Sequence, residues 1–164
     1  MNRSVGGFTL LEVLVALVVL SIGLLGLAGL QLTSVTNTRD AYYRTQAITL
    51  SYDIADRMRA NMDAVDANNY DANTTTTPVA SCRSTAGCST TNMANDDLAL
   101  WRQAVATLPG GEGIVCIDDS PNDGTSVASA ECSGSGNQYA VKIWWNNDRD
   151  AANANERLST VFVP

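Results

Sequence analysis

The apolar and polar positions divide the chain into two regimes. From Phe8 to Leu30 the residues are almost all apolar, and Glu12 is the only charge among them. From Gln31 the apolar positions thin out. Leu32, Val35, Tyr43, Ala47, Leu50, Ile54, Met58 and Met62 fall on one helical face, with polar residues between them. The first proline is Pro78. This pattern predicts one helix from about Thr9 to about Met62, with its second half burying a face against a water-soluble domain. Asp40/Arg44 and Asp53/Arg57 place an acid four residues before a base, which supports an exposed helical face.

Residues 63–95 are rich in Asn, Thr, Ser, Ala and Asp and read as a long surface connection. Asn95 or Asp96 would cap a short helix through Leu108, with Leu98, Trp101, Val105 and Leu108 on one face and Pro109-Gly110-Gly111 ending it. Strand patterns follow at Gly113–Ile117, Tyr139–Trp145 and Leu158–Val163. The middle one is the clearest, with Tyr139, Val141, Ile143 and Trp145 alternating. Ser120-Pro121-Asn122-Asp123-Gly124 is a turn signature, and residues 133–137 read as flexible loop. The expected fold class is α+β: a long N-terminal helix packed on three or four antiparallel strands, the last of them an exposed edge.

At about 1.5 Å per residue the Phe8–Leu30 run is long enough to cross a hydrocarbon core of roughly 30 Å. Arg3 and the N-terminal amine place the short leader in the cytoplasm and the bulk of the chain outside it. The run is too long for a secretory signal core, and no small-x-small cleavage site follows it. Composition then narrows the chemistry. With no histidine among 164 residues, Ser-His-Asp and Cys-His catalysis and imidazole-ligated zinc are excluded. A net charge of −7 disfavours general nucleic-acid binding. A DNA-binding head would need Arg83, Arg102, Lys142, Arg149 and Arg157 on one face. All four cysteines lie in the extracytoplasmic part, where an even count implies disulfides. Of the three pairings, the short loops Cys82–Cys88 and Cys116–Cys132 are favoured, and the spacings lack the close pairs of zinc ribbons. Asn146-x-Asp148-x-Asp150 imitates the start of a calcium loop, but Ala151 replaces the required glycine and Arg157 the final acid. Asp118, Asp119, Asp123 and Gly124 read as turn chemistry. No cofactor is expected.

Glu12 lies where a carboxylate is costly. It either snorkels to the interface or pairs with a cation inside an assembly. A cut after Gly7 would leave the amine of Phe8 four residues from Glu12, on the same helical face. The segment Ser4-Val5-Gly6-Gly7-Phe8-Thr9-Leu10-Leu11-Glu12 with its apolar continuation to Leu17 resembles the class III signal of the type IV pilin family. The resemblance implies cleavage between Gly7 and Phe8 by prepilin peptidase, N-methylation of Phe8, and an assembly role for Glu12, which would set axial register. Residues 1–7 would be the leader, 8–30 the membrane and filament-core helix, 31–62 its amphipathic half and 63–164 the head. Many major pilins break the stem with a proline that is absent here; Gly23, Gly26 and Gly29 are the weak points instead, serving close packing or softening of the stem.

The string Asp56-Arg57-Met58-Arg59-Ala60-Asn61 resembles the minor pilin V branch of that family. That implies a structural subunit, not an enzyme, which primes the filament or its tip complex. Its partners would be the inner membrane, the prepilin peptidase, the major and other minor pilins and a tip adhesin. The leader also resembles the minor pseudopilin I of type II secretion, which is the alternative. Arg57 and Arg59 read as solvated helix charge.

Overall fold

The computed structural model describes residues 7–147 and 156–164. The element order is α1 (Leu10–Ala60), α2 (Met62–Asp66), a 3-10 turn (Ala80–Arg83), α3 (Thr90–Val105), β1 (Glu112–Ile117), β2 (Tyr139–Trp145) and β3 (Glu156–Phe162). This is the α+β arrangement of the type expected, a long helix with a small antiparallel sheet. The chain divides into two compact units, the first ending at Asp40 and the second running Ala41–Pro164.

In the first unit the helix is bare. Leu10, Leu20 and Leu30 are 83%, 58% and 70% exposed, and the apolar residues between them are alike. The Ser21 hydroxyl donates to the Leu17 carbonyl at 2.7 Å, so the polar side chain within the run is satisfied by its own helix. A Cβ built at Gly23, Gly26 or Gly29 would meet nothing within 4 Å. By length and composition the helix can cross a membrane. Leu32 and Val35, expected on the buried stripe, are 71% and 67% exposed. The buried stripe of α1 starts only in the second unit.

There Ala47, Ser51, Ile54, Ala55 and Met58 are buried. Ala47, Ile54, Ala55 and Met58 share one core with Leu98, Trp101 and Val105 of α3 and with Tyr139, Val141, Ile143 and Trp145 of β2. The Trp101 indole donates to the Leu50 carbonyl at 2.9 Å, and the Thr160 and Ser51 hydroxyls meet at 3.2 Å. Gly113 is required where α3 crosses β1: a Cβ there would lie 2.6 Å from the Trp101 ring. The sheet order is β1-β2-β3, antiparallel throughout, with Ile114 opposite Lys142 and Lys142 opposite Ser159. The outer edge of β1 is capped, since Ala72 N–H donates to Val115 and Ile117 N–H to Asp71.

Three expectations need correction. The helix does not run unbroken to Met62. It ends at Ala60, and Asn61 leaves helical geometry (φ −133°, ψ 54°) while its amide donates to Tyr70 Oη at 3.2 Å and the Thr90 carbonyl at 2.9 Å. Residues 63–95 are not plain surface loop. They hold α2, the 3-10 turn, the first turn of α3 and the fully buried Tyr70. Finally, α3 begins at Thr90 and ends at Val105, and its cap is Ser89, whose hydroxyl accepts from Asn92 N–H at 3.2 Å. Asp96 instead lies inside the helix, buried, and accepts from Val79 N–H and Arg83 at 2.7 Å each. Its Thr- and Asn-rich first turn hides the true start from hydrophobic periodicity.

The arginines of α1 are not idle. Arg57 bridges Asp53 at 3.0 Å and Asp97 of α3 at 3.3 Å, and Tyr70 Oη donates to Asp97 at 2.8 Å. Arg59 lies 5.1 Å over the Phe162 ring and pairs with Asp56 at 2.7 Å. Asp40, expected to face Arg44, lies 3.7 Å from Arg39.

The second face of the sheet is also covered. Every residue of β2 is buried, and Ile114, Cys116, Ala130 and Trp144 form a separate small core with Val127 and Cys132 packed on it. Residues 118–137 therefore form a lid. Gly124 takes φ +80° where an added Cβ would lie 2.6 Å from the Ala130 carbonyl oxygen. Lys142, the chain's only lysine, is fully buried beneath it. Its ammonium has three partners: Asp118 Oδ2 at 2.6 Å, Asp123 Oδ1 at 2.5 Å and the Ala130 carbonyl at 2.7 Å. Burial pushes the Asp118 carboxyl up, but Lys142 and the Ser120 amide outweigh it and hold the group below its usual range. Lys142 and the Ser120 hydroxyl lower Asp123 likewise. The turn reading of Asp118 and Asp123 missed this, because nothing in local sequence links them to a residue in the middle of β2.

Disulfides join Cys82 to Cys88 and Cys116 to Cys132, at sequence separations of 6 and 16. The second ties the lid to β1. The calcium-like Asn146-x-Asp148-x-Asp150 pattern lies largely outside the described residues. Among those described, no group of three potential metal ligands comes together.

Two outcomes are expected of the full-length chain in detergent, read by the fluorescence of Trp101, Trp144 and Trp145, all in the head. Loop-closure entropy gives about 3 kcal/mol of stability for the 16-residue bridge and about 2 for the 6-residue one. Replacing Cys116 and Cys132 by serine should therefore lower the denaturant midpoint more than replacing Cys82 and Cys88. Burial, with Asp71 and Asp66 nearby, raises Tyr139 from 10.0 to about 12. A raised folded value means stability that is whole below pH 10 and lost as pH climbs toward 12. Tyr139→Phe should flatten that alkaline loss.

Candidate processing and assembly site

Gly7, Phe8 and Thr9 precede the helix in non-helical backbone, all exposed, with Phe8 at 84%. A peptidase needs a reachable bond outside regular structure, and the Gly7–Phe8 peptide is exposed and non-helical. A Cβ at Gly7 would meet nothing within 4 Å.

Thr9 starts the helix. Its Oγ1 accepts from Glu12 N–H at 3.3 Å, and its carbonyl accepts from Glu12 N–H at 3.1 Å and Val13 N–H at 3.3 Å. Thr9-Leu10-Leu11-Glu12 is a capping-box sequence, and Phe8 and Val13 stand at the positions of a hydrophobic staple. This signal is present in the chain but is masked by the apolar run that surrounds it. Thr9 thus fixes where α1 begins and places Glu12 in its first turn, where a carboxylate complements the helix dipole.

Phe8, Glu12, Val13, Ala16, Leu17 and Leu20 line an open groove of about 460 Å³. Glu12 is its one ionisable group. The structure brings Gly7, Phe8 and Glu12 together within one turn of the start of α1. The four cysteines serve the head and take no part in this site.

The cations that a DNA-binding head would gather are otherwise engaged. Lys142 is buried under the lid. Arg102 donates to the carbonyls of Asn73, Thr75 and Gly113, Arg83 pairs with Asp96, and Arg157 donates to the carbonyls of Asn122 and Gly124. Arg149 lies outside the described residues.

Comparison with known families accords with this geometry. Residues 2–28 match the prokaryotic N-terminal methylation motif, and residues 29–99 match the family described as type IV pilin Tt1218. No curated protein and no solved structure matches the chain. The two matches run head to tail across the exposed apolar helix, the α1 stripe and the start of α3, and along those residues the chain is similar to type IV pilins and carries the prokaryotic N-terminal methylation motif.

Proposed function

We propose that the chain is a minor type IV pilin of the minor pilin V kind. It inserts in the inner membrane with the head in the periplasm, is cut between Gly7 and Phe8 by prepilin peptidase, and is methylated on Phe8. It then joins other pilins in priming the pilus or its tip complex. The observation that carries this is the continuity of one element. An exposed Gly7–Phe8 bond leads through the Thr9 cap and Glu12 into a helix with bare apolar surface on every side. Such a helix needs a membrane before assembly and neighbouring helices afterwards.

Glu12 supplies the register. Cleavage creates an amine at Phe8, at the positive end of the helix dipole. A carboxylate in an otherwise apolar groove attracts a neighbour's amine strongly, because surrounding hydrocarbon does little to screen it. The contact is heterologous, so it propagates along a fibre. The head contributes surfaces and a fold stiffened by two disulfides, and the mechanism is binding.

Two measurements test the reading. Mass spectrometry of sheared filaments and of the membrane fraction should find a chain beginning at N-methyl-Phe8 in the filaments. The processed chain confined to membranes would point to a pseudopilin of type II secretion, and a chain still carrying its leader in both fractions would overturn the reading. Glu12→Ala should insert and be cut as the parent is, yet be lost from filaments; its normal incorporation would remove Glu12 from the mechanism.

A further inference from the structure

We propose that Lys142 and Asp118 condense to an intramolecular amide, which covalently staples the lid to the central strand of the sheet. Nothing in the pilin reading requires this bond, and the proposal stands apart from it.

The reacting groups are in place. Lys142 Nζ lies 2.6 Å from Asp118 Oδ2, and both side chains are fully buried. Each lies on rigid backbone: Lys142 at the centre of β2, and Asp118 directly after β1, where its N–H donates to the Gln138 carbonyl at 3.3 Å. Burial of both side chains limits the access of water to the carbonyl carbon, while Asp123, 39% exposed, lies at the edge of the site. Proximity of this kind replaces a bimolecular encounter.

The two oxygens of Asp118 have different surroundings. Oδ1 accepts from Ser120 N–H at 3.0 Å and Ser133 N–H at 3.4 Å, and competes at 3.2 Å with Asp123 for the one proton of the Ser120 hydroxyl. These donors can hold the charge of a tetrahedral intermediate, as an oxyanion hole does. Oδ2 faces the amine. Asp123 provides the base: its Oδ1 lies 2.5 Å from Nζ, while its Oδ2 accepts from Ser120 Oγ at 2.8 Å. The Ala130 carbonyl, 2.7 Å from Nζ, orients the nitrogen.

The balance is that of a simple condensation. The ammonium first passes one proton to Asp118 Oδ2, which leaves a neutral amine facing a carboxylic acid. Nζ attacks Cγ of Asp118, and the electrons of the carbonyl move to Oδ1. Asp123 takes a second proton from the nitrogen and delivers it to Oδ2, and as the carbonyl re-forms the Cγ–Oδ2 bond breaks to release water. One C–N bond forms and one C–O bond breaks. An ammonium and a carboxylate become a neutral amide and one water, with no oxidant, reductant or activating group consumed. Two buried charges disappear in the process, which removes the desolvation penalty they carry.

The test is the mass of the full chain purified in detergent, with its disulfides reduced and alkylated. It should be lighter than its sequence by one water. Cleavage after Glu131 should then leave the segment bearing Asp118 joined to the segment bearing Lys142, and trypsin should fail to cut after Lys142. Lys142→Arg and Asp118→Ala should restore the full mass, and Asp123→Asn should leave most chains unjoined. The wild-type reading does not depend on whether a variant folds. Full mass with two separate segments overturns the proposal. So does a water loss that maps to Asp123-Gly124, which marks a succinimide in the lid.

Discussion

A helix that faces hydrocarbon at one end and a packed protein core at the other has to carry two different apolar patterns on one backbone. In α1 the change is visible residue by residue. Leu10 to Leu30 are apolar all round and uncovered, whereas from Ala47 to Met58 only one stripe is apolar and that stripe is sealed. The rest of the head is built on this stripe. Trp101 of α3 reaches the Leu50 carbonyl, the alternate residues of β2 complete the core, and Arg57 and Arg59 fasten the flanks to Asp97 and Phe162. The string Asp56–Asn61 therefore has a physical reason for its order. Met58 fills the core, the arginines on either side reach different elements, and Asn61 ends the helix by donating to Tyr70 and Thr90.

The sheet presents a second problem. Three strands packed on helices along one face leave the other face to water, yet β2 carries Ala140, Lys142 and Trp144 there, all buried. A polar, glycine-rich segment covers them. It has few apolar side chains to hold it down, so it is fixed by a disulfide, by three acceptors converging on one ammonium, and by Arg157 gripping the Asn122 and Gly124 carbonyls. Polar anchors of this kind replace hydrophobic burial where a lid is too hydrophilic to collapse unaided.

Much of this was legible in the chain, and the exceptions have a common cause. β2 is legible to the residue because period-two alternation is a local signal, and the candidates Gly7, Phe8 and Glu12 stand out because they fall within one short segment of the chain. The cap at Thr9 was in plain view as a capping box but lay inside a run that reads only as hydrophobic. The helix break at Asn61, the burial of Asp96 and the pairing of Arg57 with Asp97 depend on residues 9 to 40 positions away. Within the lid, residues 120–124 read only as a turn and 133–137 only as flexible loop, because Ser, Gly and Asn have no periodicity to betray packing. Helical spacing shows which face Leu32 and Val35 occupy and not whether anything covers it, so their exposure is not legible in the chain.

The seclusion of Lys142 has a practical side. A chain with one lysine, and that one enclosed, offers no side-chain amine at its surface. Amine-directed fluorophores, biotin esters and lysine-bridging cross-linkers would find no lysine to react with on this chain and could reach only its N-terminal amine. Its abundance and position would be undercounted by any survey that relies on them, and carboxylate- or arginine-directed chemistry would be needed to make it visible.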